Sequence, residues 1–164
     1  AYPAILSRRL QRECLNLGFS GSGKGEPEVA RALATIDACR LFVLDYDANC
    51  PSADHLRQTL PVFVDILRAQ HPKTPILVVS RVPTAGEYDS PGGDAGRLER
   101  LRAQQEAVEA MQAAGVSDIQ FLAGSDLLGE EHDECTVDGS HPTDLGFLRM
   151  ADGMEPVLRR ILGD

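Results

Sequence analysis

The sequence predicts an α/β protein of one domain, and three observations support this class. Short apolar runs alternate with longer amphipathic segments, a pattern typical of parallel strands and the helices that cover them. The chain has 164 residues, of which 43% are hydrophobic and 25% are charged, and this composition suits a single sizeable core. No internal repeat or linker divides the pattern, so we expect one domain over residues 1–164.

The first half of the chain alternates predicted helices and strands around a glycine-rich turn. Ile5, Leu6 and Leu10 share one helical face, which predicts a helix over residues 2–12. A short strand is predicted over residues 14–19. After it come the glycine-rich turn over 18–25, a helix over 26–38 with Pro27 in its first turn, and a strand over 41–44.

The second half repeats the alternation with longer helices. Thr59 suits an N-cap with Pro61 just inside, which predicts a helix over 59–70. Asp94 is expected to cap a charged helix that Gly115 ends. Strands are predicted over 76–79 and 119–122, with an acidic loop over 124–142. A loop is also predicted over 84–93, near Arg81 and Glu87, where substrate specificity could arise. The final helix is expected to begin at Thr143, and its inward residues are Leu145, Leu148, Val157 and Ile161.

The charge balance excludes two classes of partner. The sequence has 16 Lys and Arg against 25 Asp and Glu, a formal net charge of −9. Nucleic acids and anionic membranes are bound through clustered positive charge, so we expect neither as a partner. No apolar run approaches the roughly 18 residues of a membrane span, so we predict no membrane-spanning helix.

Three unusual segments follow predicted strands, at residues 18–25, 45–51 and 135–142. In open parallel sheets, ligands bind beyond the carboxyl ends of the strands, so we expect these segments to build one site. Asp45 and Asp47 lie in the second of these segments together with Asn49, and we expect them to shape that loop rather than to exchange protons.

The sharpest local signal is Asp138 placed three residues before His141, at the entrance to the last helix. A carboxylate at this distance can hold an imidazole in one tautomer and stabilise its protonated form, as acyl transfer requires. The alternative is that Asp138 ends a loop and His141 is a partly buried residue at the helix entrance.

The chain resembles the SGNH (GDSL-like) hydrolases at three stretches in the family's order. Residues 16–21, which read NLGFSG, match the second block; Asn49 matches the third, and Asp138 with His141 the fifth. The resemblance covers nearly the whole chain. It implies a three-layer α/β/α fold with a flavodoxin-like parallel sheet. It also implies hydrolysis of small acyl esters, with acetyl esters of carbohydrates among the candidates, through a Ser–His–Asp triad that requires no cofactor.

The same resemblance implies a role for each matched residue. The Gly21 N–H and the Asn49 side-chain amide would form the oxyanion hole, which stabilises the negative oxygen of the transition state. His141 would act first as general base and then as acid, with Asp138 orienting it.

The family's first block, a strand that ends in a Gly-x-Ser nucleophile, is missing before residue 2. In the family's sheet that strand lies between the ones predicted at 14–19 and 41–44. We therefore expect an N-terminally incomplete domain whose first strand and nucleophile belong to a preceding polypeptide segment. Ser20 and Ser140 do not stand on a strand-to-helix elbow and are poorer nucleophile candidates.

Three other functions compete with ester hydrolysis. The first is nucleotide binding. Residues 18–25 read GFSGSGKG, which matches the phosphate-binding pattern except at its last position, where Gly25 replaces the required Ser or Thr. Lys24 and Asp45 would be the other nucleotide-site residues. The acidic loop could hold a metal ion through His132, Asp133, Asp138 and His141, although the spacing fits no closed zinc pattern. Without a nucleophile, the chain could also be a non-catalytic binding module.

Four cysteines are present, at positions 14, 39, 50 and 135, and they form no CxxC pair. Cys50 follows Asn49, and Cys135 lies three residues before Asp138, so both belong to loops expected at one site. A Cys50–Cys135 disulfide is therefore one hypothesis, with two free, partly buried thiols as its alternative.

Overall fold

The computed structural model of the protein describes residues 1–87, 91–130 and 132–163. Its contacts divide the chain into two units. The first comprises Ala1–Leu17, Val82–Ala95 and Gly124–Asp164, and the second comprises Gly18–Arg81 and Gly96–Ala123. Part of the predicted 84–93 loop, residues 88–90, lies outside the described residues.

The second unit contains a parallel three-stranded sheet with covering helices. Its strands β1 (Phe42–Leu44), β2 (Ile76–Val79) and β3 (Ile119–Leu122) lie in the order β1-β2-β3, with Phe42 opposite Ile76 and Ile76 opposite Ile119. The α/β class and all three of these strands are confirmed. Each strand leads to the next through a helix, because parallel neighbours require a crossover connection.

The helices of this unit surround one apolar core. Helix α2 (Pro27–Ala34) precedes β1, α3 (Ala53–Gln70) joins β1 to β2, and α4 (Ala95–Ala113) joins β2 to β3. The core residues come from all of these elements and include Ala30, Leu60, Val64, Leu67, Ile76, Val78, Val108, Met111 and Ile119. β2 is buried along its whole length, as expected of the central strand.

The first unit packs the N-terminal helix α1 (Tyr2–Leu10) against the C-terminal helix α5 (Asp144–Leu162). The guanidinium of Arg9 lies 2.7 Å from Asp152 and 3.1 Å from Glu155, and Arg159 donates to the Arg9 carbonyl at 3.1 Å. These ion pairs bind the two helices across 143 or more residues of sequence. Across the described ranges, no helix is long and apolar enough to span a bilayer.

The predicted strand over residues 14–19 is wrong, because this segment forms no strand. Leu15, Leu17 and Phe19 are 58%, 46% and 50% exposed. A strand exists only when a neighbour supplies its hydrogen bonds, and none of the strands in the described residues pairs with this segment. β1 is accordingly an edge strand of the sheet.

Three helix predictions also need correction. Helix α3 begins at Ala53, and the Ser52 hydroxyl caps it by accepting the His55 N–H at 3.2 Å. Pro61 therefore lies inside the helix. Leu56 and Leu60 are fully buried on its apolar face, and this packing stabilises the earlier start. α2 ends at Ala34, four residues earlier than expected. In α5 the inward face consists of Met150, Ala151, Met154 and Leu158, whereas Leu145 and Leu148 are both 41% exposed.

Candidate functional site

The Asp138–His141 segment forms a closed loop at the entrance to α5. Thr136 and Pro142 form a β-bridge, and the Val137 N–H donates to the His141 carbonyl at 2.9 Å. Gly139 has a φ of 83°, a left-handed conformation that glycine adopts most easily. The Thr143 hydroxyl then caps α5 by accepting the Gly146 N–H at 3.2 Å, so the predicted helix start is confirmed.

Asp138 binds His141 through both of its carboxylate oxygens. Oδ2 lies 2.7 Å from Nδ1 of the imidazole, and Oδ1 accepts the backbone N–H groups of His141 at 2.8 Å and Ser140 at 3.0 Å. The His141 backbone N–H, followed by the His141 side chain and the Ser140 N–H, lowers the pKa of Asp138 to about 2. The carboxylate is therefore ionised across the neutral range. It accepts a hydrogen bond from Nδ1 of His141, which carries the proton.

This pairing leaves the other imidazole nitrogen available for chemistry. With the proton on Nδ1, Nε2 carries a lone pair, and it makes no hydrogen bond to any residue that the structure describes. The His141 side chain is 78% exposed. Nε2 can therefore take a proton from a substrate or nucleophile while Asp138 stabilises the resulting imidazolium.

The 3-10 turn Ala85–Glu87 contacts the Asp138–His141 loop. The Ala85 N–H donates to the Gly139 carbonyl at 2.7 Å. Thr84 donates to the carboxylate of Glu87 at 3.3 Å, and Glu87 is buried. Glu87 thus has a structural contact here, and its part in substrate specificity stays a prediction.

In the second unit, Asn49 contacts the glycine-rich turn that contains Gly21. The Asn49 side-chain amide donates to the Ser22 carbonyl at 2.5 Å and to the Phe19 carbonyl at 3.5 Å. Gly21, with a φ of 62°, lies between these two acceptors, and its own N–H has no partner in the described part of the chain. The structure thus brings together the two residues that the resemblance assigns as oxyanion donors.

The two contacts of the Asn49 amide differ in strength. A donor–acceptor distance of 3.5 Å is at the weak limit of a hydrogen bond, whereas 2.5 Å is short. The Ser22 carbonyl therefore fixes the orientation of the amide, and the contact with the Phe19 carbonyl is the weaker of the two.

Contacts inside the glycine-rich turn weigh against a phosphate site. The Lys24 N–H donates to the Glu26 carboxylate at 2.6 Å, and the Lys24 carbonyl is bound by His55 at 2.7 Å. A phosphate-binding loop needs its N–H groups free and no anion beside them, but here a carboxylate already occupies one of them.

The metal hypothesis gains no support from the geometry. Within the ranges that the structure covers, no three His, Cys, Asp or Glu side chains are grouped as a metal site. His132 and Asp133 lie in a separate 3-10 turn, His132–Cys135, while Asp138 and His141 bind each other.

The structure gives no support to the predicted Cys50–Cys135 disulfide, and both cysteines are buried. Cys135 Sγ contacts the Leu128 carbonyl at 3.8 Å, and Cys50 Sγ contacts the carbonyls of Tyr46 and Lys24. Each sulfur is thus surrounded by its own neighbours. Burial, together with the charge of Asp47, raises the pKa of the Cys50 thiol to about 12.

Gln104, which none of the sequence motifs indicated, supports the loop that carries Asn49. Gln104 is 1% exposed and lies on the same face of α4 as Val108 and Met111. Its amide donates to Asp47, two residues before Asn49, at 2.9 Å. A polar side chain at an apolar position of the helical period was the signal, because buried amides need a partner.

Comparisons with known proteins agree with the resemblance seen in the sequence. The model of the GDSL-like Lipase/Acylhydrolase family matches residues 1–159. The comparison with curated proteins finds no significant match.

Several solved structures are similar to this chain. A Bacteroides ovatus protein described as GDSL-like lipase is 39% identical with a TM-score of 0.91, over 99% of this chain and 48% of its own. The salicylyl-acyltransferase SsfX3 from a tetracycline biosynthetic pathway is 22% identical with a TM-score of 0.81, over 99% of this chain and 48% of its own. A carbohydrate acetylesterase family member from Sinorhizobium meliloti is 18% identical with a TM-score of 0.76, over 99% of this chain and 87% of its own.

These likenesses confirm the predicted fold class, since the chain aligns over nearly its whole length with a GDSL-like lipase and with a carbohydrate acetylesterase family member. The chain spans about half the length of the first two structures, 48% of each.

Proposed function

Because the chain belongs to the GDSL-like lipase/acylhydrolase family, we propose that it supplies the acid–base pair and the oxyanion donors of a serine ester hydrolase. The observation that carries this proposal is the contact of 2.7 Å between Asp138 and Nδ1 of His141, with Nε2 left free and exposed. A histidine held in this way is the general base of a serine triad.

The proposed reaction proceeds through an acyl-enzyme. Nε2 of His141 takes the proton of a serine hydroxyl while the serine oxygen attacks the ester carbonyl. His141 then returns this proton to the departing alcohol. In the second half, His141 takes a proton from water as the water attacks the acyl-enzyme. His141 then returns this proton to the serine oxygen as the acyl–serine bond breaks and the acid leaves.

The proposed oxyanion donors are the Gly21 N–H and the Asn49 amide. Negative charge develops on the carbonyl oxygen in both tetrahedral intermediates, and donors already in place stabilise it without reorganisation. The contact of Asn49 with the turn around Gly21 supports this assignment, because it fixes both donors in one local structure.

We place the nucleophilic serine on a strand that pairs with the free edge of β1. Val43 in this edge strand is 37% exposed, and Phe19 in the neighbouring sequence block is 50% exposed. A parallel strand added there would cover apolar surface and satisfy backbone groups that β1 leaves unpaired. Residues 14–19 would then gain a partner as well.

The substrates we propose are esters of small acyl groups, with acetyl groups on carbohydrates as the first class to test. The likeness to a carbohydrate acetylesterase family member from Sinorhizobium meliloti supports this choice. This likeness selects the substrates to test first, because an identity of 18% shows a shared fold.

Labelling with a fluorophosphonate tests the mechanism, because this reagent modifies a serine activated by a general base. The probe is applied to the polypeptide as the source organism makes it and to the 164 residues alone, and mass spectrometry locates the modified residue. We expect modification of a serine outside these 164 residues, lost in His141→Ala and retained in His132→Ala. His132 is the matched control, since it belongs to the same acidic loop.

Two results would contradict the proposal. Modification of Ser20 or Ser140 would place the nucleophile inside this chain. No modification of either form, together with no hydrolysis of p-nitrophenyl acetate, would favour the non-catalytic binding module.

A further inference from the structure

A buried carboxylate–amide pair lies directly beneath the loop that carries Asn49. Asp47 is fully buried and Gln104 is 1% exposed, which is unusual for an acidic residue and its amide partner. Oδ2 of Asp47 accepts the side-chain N–H of Gln104 at 2.9 Å and the backbone N–H of Arg81 at 3.0 Å. Three segments thus meet at one oxygen, namely the β1–α3 loop, the end of β2 and the middle of α4.

Helix α4 holds this loop at a second point. The Arg100 guanidinium donates to the Pro51 carbonyl at 3.2 Å, and the Arg100 carbonyl accepts the Gln104 amide at 3.3 Å. Asp47 and Pro51 lie on either side of Asn49. The helix therefore fixes both flanks of the residue whose side chain reaches the glycine-rich turn.

The backbone between these points is rigid for a local reason. Asp47–Asn49 form one 3-10 turn, in which the Asp47 carbonyl accepts the Cys50 N–H at 2.9 Å. A displacement of Asp47 is therefore passed directly to Asn49 through the turn. An effective donor lies about 2.7 to 3.1 Å from the oxyanion, so a displacement of a few tenths of an ångström out of this range lowers the rate.

We infer that Asp47 and Gln104 are positioning residues that aim the Asn49 amide. This inference rests on the proposed function, in which Asn49 is an oxyanion donor. The pair acts through hydrogen bonds to Oδ2 of Asp47, which accepts N–H groups from Gln104 and Arg81, while Oδ1 has no hydrogen-bond partner in the described ranges. An Asn side chain can present its carbonyl oxygen to Gln104 and Arg81 and place its amide where Oδ1 lies.

Selective 15N labelling of asparagine tests the orientation of the Asn49 side-chain amide without any assay of activity. Asn16 and Asn49 are the two asparagines of the sequence, so a protein labelled with 15N-asparagine gives two side-chain amide signals. Gln104→Met removes the donor at similar length, and we expect the Asn49 signal to shift or broaden while the Asn16 signal stays. Gln105→Met is the matched control, because Gln105 is exposed and bonds Glu109 instead. An unchanged Asn49 signal in Gln104→Met overturns the inference.

Kinetics of the form that carries the serine provide the second measurement. We expect Gln104→Met and Asp47→Ala to lower kcat roughly tenfold or more with KM within about twofold, and Asp47→Asn to retain most of the activity. Val108→Ala, a core change on the same helix, controls for lost stability and should leave kcat nearly unchanged. An equal loss of kcat in Val108→Ala, or in Asp47→Asn, contradicts the inference.

The two failures are distinguishable. If the proposed function is wrong, His141→Ala will not alter hydrolysis, but the Asn49 signal will still respond to Gln104→Met. If the positioning role is wrong, His141→Ala will abolish hydrolysis while the Asn49 signal stays in place.

Discussion

The carboxylate of Asp138 lies 2.7 Å from Nδ1 of His141 and also accepts the backbone N–H of that residue at 2.8 Å. One side chain therefore fixes both the direction of the imidazole and the turn of the backbone that carries it. Both residues are largely exposed, so the hydrogen bonds of the loop hold the pair rather than burial in a core.

If the proposed serine triad acts, replacement of Asp138 by Asn should abolish most ester hydrolysis of the longer form that we propose carries the serine. An Asn amide favours the tautomer with the proton on Nε2, which leaves no base, and we expect a fall in kcat on the order of 10³-fold or more. The control is Asp133→Asn, an exposed carboxylate in the preceding turn. Steady-state kinetics on p-nitrophenyl acetate measures both, and equal activity of the two variants argues against the triad.

The Asp138 loop should resist acid to an unusual degree. Hydrogen bonds from the His141 backbone N–H, the His141 side chain and the Ser140 N–H lower the pKa of Asp138 from 3.8 to about 2. Because this pKa is lower in the folded protein, the stabilisation is fully present above pH 3.8 and is lost as the pH falls through about 2. The amide 15N and 1H shifts of Ser140 and His141 should titrate near pH 2 and not near 3.8. Asp138→Asn should remove this transition altogether.

Gly25 and Gly21 should differ in their tolerance of alanine, although both have positive φ. A Cβ at Gly25 would lie 2.8 Å from the Thr59 side chain and 2.9 Å from the Tyr46 ring, whereas nothing lies within 4 Å of one at Gly21. We expect Gly21→Ala to cost about 1 kcal/mol of unfolding free energy from backbone strain, and Gly25→Ala at least about 2 kcal/mol more. Urea unfolding followed by circular dichroism compares them, and similar values would contradict the packing of Gly25.

Arg68 should be a major contributor to stability. Its guanidinium donates to the carbonyls of His71 at 3.1 Å, Thr74 at 2.5 Å, Ser117 at 2.8 Å and Asp118 at 3.2 Å, which join the end of α3 to the start of β3. A lysine cannot reach four acceptors, so we expect Arg68→Lys to cost about 2 kcal/mol or more.

The control for Arg68 is Arg57→Lys on the same helix. Arg57 forms an exposed pair with Asp54 at 2.8 Å, and such pairs contribute less than about 0.5 kcal/mol. Chemical denaturation of both variants measures the difference, and a loss at Arg57 as large as at Arg68 would be inconsistent with a stabilising role for the four carbonyl contacts of Arg68.

Three of the four cysteines, Cys14, Cys50 and Cys135, should react in two stages with a thiol reagent such as DTNB. Cys14 is exposed, whereas Cys50 and Cys135 are buried, and burial raises the pKa of Cys50 to about 12. We expect Cys14 to react first in the native protein, and Cys50 and Cys135 only after unfolding.

Reductant provides the complementary measurement on these cysteines. A disulfide would contribute about 2 to 4 kcal/mol, so dithiothreitol would lower the unfolding midpoint if Cys50 and Cys135 were bridged. We expect no change, and a large decrease would restore the disulfide hypothesis.

The sequence by itself determined the features that depend on neighbouring residues. Apolar runs located β1, β2 and β3, because a buried strand must be apolar wherever it lies. The spacing of three residues between Asp138 and His141 predicted their contact, since a tight loop can close over that distance without help from the rest of the chain.

Only the tertiary structure decided the features that need a distant partner. Residues 14–19 have strand-like composition but form no strand, because no neighbour supplies their hydrogen bonds. The contacts of Asn49 with Ser22 and of Asp47 with Gln104 join residues 27 and 57 positions apart. Such pairs form only when helix and sheet packing has already brought the segments together, and local sequence carries no direct record of that packing.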